Sequence, residues 1–239
     1  MSIRTVLRIA LLGVVCQLHM DGMAQPEKTR VVLYKDRVNA AFDTVDCVKN
    51  VFKINPLLFF RGEIPLYYER ALTPRLSLEV GVGVTLRNYL ALSLVGDDAD
   101  DFGAGTEIIP NPSFHIAARY YHITDLEPQG WYTQVEFAHL MYTKDIRMKG
   151  PTGEFTEGKL RDERTYNDIR LLLGHQMLSA SSNWLFDLYG GVAFRSRHSE
   201  KVNETLLAGS SPRVYTYSIT EEDDSVPALF LGVKLGLGF

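Results

Sequence analysis

Leu229, Leu231, Val233, Leu235, Leu237 and Phe239 place an apolar side chain at every second position of the last stretch of the chain. Between them stand Ala228, Phe230, Gly232, Lys234, Gly236 and Gly238. A strand sends alternate side chains to opposite faces, so this stretch predicts a strand with one greasy face and one small or charged face. Seven earlier segments alternate in the same way. In 51–60, Phe52, Ile54, Leu58 and Phe60 oppose Lys53 and Asn55; in 63–71, Ile64, Leu66 and Tyr68 oppose Tyr67 and Glu69. Segment 75–87 sets Leu76, Leu78, Val80, Val82, Val84 and Leu86 against Ser77, Glu79, Gly81, Gly83, Thr85 and Arg87. Segment 112–121 sets Phe114, Ile116, Ala118 and Tyr120 against His115, Ala117, Arg119 and Tyr121. In 131–142, Trp131, Val135, Phe137 and Met141 oppose Gln134, Glu136 and Tyr142, with Thr133 and His139 interrupting the apolar face. Segment 166–177 places Ile169, Leu171, Leu173 and Met177 opposite Asp168, Arg170, Gly174 and Gln176. Segment 184–196 places Trp184, Phe186, Leu188, Val192 and Phe194 opposite Asp187, Tyr189, Gly191 and Arg195.

Eight such segments predict an all-β fold, an eight-stranded antiparallel up-and-down barrel over 51–239. The connections fall into two classes. Leu72–Pro74, Thr124–Gly130 and Ser179–Asn183 are short, whereas 88–111, 143–165 and 197–225 are long and rich in polar residues. With an Arg61-Gly62 turn in the first hairpin, every long connection falls at one end and the remaining short ones at the other. Trp131, Trp184 and Phe239 then share the short-turn end, where an aromatic girdle is expected.

Alternation alone also fits a soluble barrel with an apolar interior. The charges decide between the two. The non-apolar face carries Lys53, Arg119, Arg170, Arg195 and Lys234 against Glu69, Glu79, Glu136, Asp168 and Asp187, while the apolar face of the strand cores carries no Arg, Lys, Asp or Glu. A lipid-facing Arg or Lys costs about 2–4 kcal/mol at the bilayer midplane, and a buried unpaired charge is also expensive. The expectation is therefore a transmembrane barrel whose lumen is plugged by these ten charged residues, since eight strands leave an interior that side chains fill.

The start of the chain adds a route. Arg4 and Arg8 precede an apolar run from Ile9 to Cys16, and Gly22-Met23-Ala24 offers a small-x-small cleavage site, so 1–24 reads as a signal peptide. Val15 before Cys16 argues against lipoprotein processing. Cys47 would then be the one cysteine of the mature chain, with no partner for an intramolecular disulfide. Residues 25–50 read as a periplasmic lead-in with a short strand at Val31–Tyr34. Loss of the leader takes Arg4, Arg8 and Asp21 from 25 basic and 29 acidic residues and leaves an acidic chain, which argues against a nucleic-acid partner. No apolar run approaches the roughly 20 residues of a transmembrane helix.

Lys53-Ile54-Asn55-Pro56-Leu57-Leu58, Leu66 to Leu72 and Leu76 to Gly81, with the terminal Phe239, resemble the small OmpA-type outer-membrane β-barrel group and its uncharacterised single-domain members. The resemblance covers 50–239 as a pattern. It implies the outer membrane of a Gram-negative cell, lipopolysaccharide and lipid neighbours, and an assembly signal in Leu235, Leu237 and Phe239 read by the outer-membrane assembly machinery. The chain departs from the OmpA arrangement in showing no peptidoglycan-binding domain.

Catalytic chemistry is not expected. His198 and Ser199 are adjacent, so a strand turns them to opposite faces, and the His–Ser spacing of lipid A deacylases is absent. Asp97, Asp98, Asp100 and Asp101, and likewise Glu221 to Asp224, read as solvated acidic segments that lack EF-hand spacing, although they could bridge lipopolysaccharide phosphates through Ca²⁺. No cofactor or metal site is expected. The role that remains is structural or interactive, through long loops that present a surface to an unknown protein partner. The alternatives are a narrow channel, an outer-membrane lipid-modifying enzyme and, more remotely, a soluble periplasmic carrier.

Overall fold

A computed structural model describes residues 34–42, 44–89, 103–179, 181–207 and 214–239. The signal-peptide region, Val31–Leu33 and the Asp97–Asp101 run lie outside the described residues. Helix α1 spans Tyr34–Phe42, so Tyr34 opens a helix where a strand end was expected. Nine strands follow among the described residues: β1 Asn50–Ile54, β2 Glu63–Ala71, β3 Leu76–Thr85, β4 Thr106–Ile109, β5 Asn111–Tyr121, β6 Gly130–Lys149, β7 Phe155–Leu178, β8 Trp184–Leu206 and β9 Tyr215–Gly238. The count is therefore nine strands and not eight. The addition, β4, pairs only with the outer part of β6, from Thr106–Ile146 to Ile109–Thr143.

All the pairings are antiparallel, in the order β4-β6-β5-β3-β2-β1-β9-β8-β7, and β7 pairs again with β6. The other eight strands therefore form a closed circuit of hydrogen bonding. The register can be followed around it through Ile54, Leu66, Val82, Phe114, His139, Asn167, Ser196 and Ser225. Extrapolating the Ile54–Leu235 pairing to Ser225 returns to the line of β1 at position 64, a stagger of ten residues. Such a stagger accompanies strands tilted to the axis of a closed sheet.

Local chemistry explains where the elements stop. Thr73 Oγ1 accepts from the backbone N–H of Leu76 at 3.0 Å and of Arg75 at 3.3 Å, closing the β2–β3 turn. The first predicted strand, 51–60, is cut in two. After Ile54 the chain turns into a 3-10 helix, Pro56–Arg61, with Asn55 as its N-cap and Gly62 as its left-handed C-cap at φ 72°. Asn50 and Phe239 exchange both backbone bonds, so the even positions of β1 face β9. The next even position is Pro56, which has no N–H to give the ladder.

The predicted long loops 143–165 and 197–225 prove to be mostly strand. β6–β7 pairing reaches Lys149–Phe155, and β8–β9 pairing reaches Leu206–Tyr215. β7–β8 pairing stops at Glu163–Glu200, so above that row the two hairpins part as separate arms. They meet again near their tips. There Lys149 Nζ pairs with Glu204 at 2.7 Å, and the Lys149 N–H donates to the Tyr217 hydroxyl at 2.7 Å.

Candidate functional site

The burial of the sheet is inverted relative to a water-soluble core. Along the ring the apolar face points outward: Leu78, Val82, Ile116, Val135, Leu171, Val192 and Leu231 are all exposed. Leu235, Leu237 and Phe239 lie on the same outer surface. Trp131, Trp184 and Phe239 are exposed together at the end that carries the short turns, and Phe239 stacks on Phe52 with ring centroids 5.4 Å apart. The two residues that interrupted the outer face are satisfied sideways. His139 Nδ1 lies 2.7 Å from Asn167 Oδ1, and Thr133 Oγ1 lies 3.0 Å from His122 Nε2.

The ten charged residues of the non-apolar face are all buried, none more than 3% exposed. They form two linked groups. Nearer the short-turn end, Glu69 and Glu79 stand directly opposite each other on β2 and β3. Like charges so placed repel, and cations from three other strands hold them. Lys53 Nζ contacts Glu69, Glu79 at 3.0 Å and Asp187 at 3.4 Å. Arg119 reaches Glu69 and Glu79 at 3.2 Å and Asp187 at 3.0 Å, with its guanidinium 3.8 Å above the Tyr132 ring. Lys234 donates to Glu79 at 2.5 Å. Three cations thus face three carboxylates, and the remaining lone pairs take donors from Tyr121 at 2.8 Å and Tyr132 at 2.5 Å.

The second group lies toward the arms. Arg170 bonds Glu136 at 2.7 Å and Asp168 at 2.8 Å, and Arg195 bonds both oxygens of Asp168. His115 lies between two acids, Nδ1 at 3.0 Å from Glu136 and Nε2 at 2.5 Å from Glu63. The guanidinium groups of Arg61, Arg170 and Arg195 surround the ring of Phe230 at 5.7, 4.3 and 5.4 Å. Gln134 joins the groups, donating to Glu136 at 2.7 Å and to Glu79 at 3.4 Å. Arg61 and Glu63 also belong to this interior; the sequence had put Arg61 at a turn and had left Glu63 unassigned at the start of the segment 63–71. Parity alone would have found Glu63, which shares the face of Tyr67 and Glu69.

With both ring nitrogens held by carboxylates and no nucleophilic side chain bonded to it, His115 has the environment of a structural bridge. His198 and Ser199 diverge as adjacent strand residues must: His198 Nδ1 meets Asp223 at 2.7 Å on the outside, while Ser199 is buried and bonds the Glu222 carbonyl. Among the described residues, no three His, Cys, Asp or Glu side chains converge in a way that could hold a metal. Neither does any described helix have the length and apolar character to cross a membrane.

On the arms, the Asp223 carboxylate bonded to His198 holds its imidazole above the ordinary range. The hydrogen bond that the Lys149 ammonium donates to Glu204 likewise raises the pKa of Lys149. At the opposite end Cys47 is a free thiol, pushed up chiefly by burial. Comparisons with family models, curated proteins and solved structures find no match to this chain.

Proposed function

We propose that the chain is a small integral outer-membrane β-barrel whose polar lumen is plugged by its own ion pairs, and whose role is structural or interactive. The observation that carries this reading is the inversion of burial around a closed ring of pairings. Outward apolar rows are exposed, while five acids and five bases are withdrawn from solvent and paired. Closed barrels solve the problem of backbone hydrogen bonding in hydrocarbon because they leave few open edges. Lys53, Arg119 and Lys234 bridge carboxylates on other strands inside the ring, which favours a plug over a narrow channel. The exposed aromatic residues at the short-turn end agree with a girdle at one membrane interface. The resemblance to the small OmpA-type group favours the outer membrane and its assembly machinery. The two arms, rising beyond the apolar belt, are the surface offered to lipopolysaccharide or a protein partner.

Gel mobility of unboiled and boiled samples, paired with planar-bilayer recording, tests this reading. A folded barrel resists SDS until heated, so the unboiled band should migrate apart from the boiled one, and the reconstituted protein should give no stepwise conductance. A chain fractionating with soluble periplasmic proteins would contradict the membrane reading, and regular conductance steps would contradict the plug.

A further inference from the structure

The ring has one weak seam. β1 pairs with β9 only from Asn50–Phe239 to Ile54–Leu235 and then leaves as the Pro56–Arg61 helix. Phe239 turns both backbone groups toward β1, so Val233, Leu231 and Leu229 turn theirs to the same side, where no described strand pairs with them. Leu231 is 77% exposed there, and Leu57, Phe59 and Phe60 of the helix are exposed beside the seam. Hydrocarbon offers such backbone groups no hydrogen bonds.

The sequence itself writes this gap. Pro56 occupies the β1 position whose N–H would next pair with β9. The N–H of Ala71 bonds Lys49, so odd positions of β2 face β1, and Pro65 is one of them. Pro227 is an odd position of β9. Pro56 at the start of the helix, Pro65 on β2 and Pro227 on β9 therefore each lack an N–H on a side that flanks the seam.

Polar groups wait behind it. Asn55 donates to the Tyr189 hydroxyl at 2.6 Å, both buried. Glu63 is fully buried, and its Oε2 has no hydrogen-bond partner. The β1–β2 and β1–β9 registers place position 63 level with position 232, across the single strand width that β1 vacates. That span is about 10 Å, two strand spacings. The helix is bounded by Asn55 and by left-handed Gly62, and its last turn is held by backbone bonds from Tyr89 to Phe60 and from Leu86 to Gly62.

We propose that Pro56–Arg61 is a lateral latch, and that the slot between it and β9 admits a single-chain amphiphile with a hydrogen-bond-donating head, an alcohol or an amine. The chain lies along Leu231 and Phe60 in the hydrocarbon. The head passes the latch to the free oxygen of Glu63. This inference rests on the membrane reading above.

The test is photolabelling of the full chain in phosphatidylcholine vesicles with a diazirine-bearing dodecanol, read by peptide mass spectrometry. The expected result is saturable labelling confined to 57–60 and 229–233. It should be competed by dodecylamine and reduced at least tenfold in Pro56→Val, which restores the missing donor, provided that variant keeps its heat-dependent mobility. Glu63→Gln, read in parallel, should weaken competition by dodecylamine more than labelling by the alcohol. Uniform, non-saturable labelling around the belt of a protein that floats with the vesicles overturns the latch alone. A chain that does not float with vesicles overturns the latch together with the membrane reading.

Discussion

Arg195 donates from Nε and Nη2 to the two carboxylate oxygens of its cross-strand partner Asp168, at 2.7 and 2.8 Å, with neither residue exposed to solvent. A second guanidinium, that of Arg170, bonds the same carboxylate. Breaking a buried pair by removing one partner typically costs 3–5 kcal/mol, because the other charge is left uncompensated. Asp168→Ala should therefore lower unfolding stability in urea by about 3–5 kcal/mol. The double variant Asp168→Leu, Arg195→Met should recover most of that loss. Equal losses in the single and double variants would mean that the pair does not act as a unit.

The chain has two tryptophans, both exposed at the short-turn end. Reconstituted protein should show Trp131 and Trp184 quenched equally by lipids labelled near the head group, and weakly by lipids labelled at mid-chain. The variants Trp131→Phe and Trp184→Phe separate the two signals. Unequal depths would contradict placing both residues on one rim.

On the arms, Asp223 raises the pKa of His198. A group whose folded pKa lies above its unfolded value lends stability at low pH and loses it as pH rises through the folded value. Protonation of His198 should thus strengthen the β8–β9 arm below its raised pKa, and that contribution should fade above it. NMR titration of the His198 ring should show the raised value in the wild type and return it toward the ordinary range in Asp223→Asn.

Glu163, Glu200 and Glu221 form one cross-strand row where the two arms begin to part. Like charges directly opposed destabilise a sheet, and opposite charges contribute about 0.2–1 kcal/mol. Glu200→Lys should slow protease cleavage of the arms, and faster cleavage would show that the row is not a site of repulsion.

The interior was legible in the sequence because strand parity is strict. Knowing that Leu171 faces out puts Arg170 inside, whatever Arg170 touches. Its partners were not legible, since which cation bridges Glu69 and Glu79 depends on register and stagger. The arms were read as loops because Glu, Arg, Thr and Ser on both faces erase the apolar alternation there. Pro56 was read through as strand because Leu58 and Phe60 keep the alternation past it. The missing N–H, invisible to a hydropathy pattern, ends β1 there.

The most direct measurement is nitroxide scanning of β9 from Leu229 to Gly238 in vesicles, comparing collision with oxygen and with a water-soluble nickel chelate. The account predicts a period of two, with Leu229, Leu231, Val233, Leu235 and Leu237 accessible to oxygen and the intervening positions shielded from both reagents. Nickel access at the odd positions, or no period of two, would contradict an inverted barrel in a bilayer.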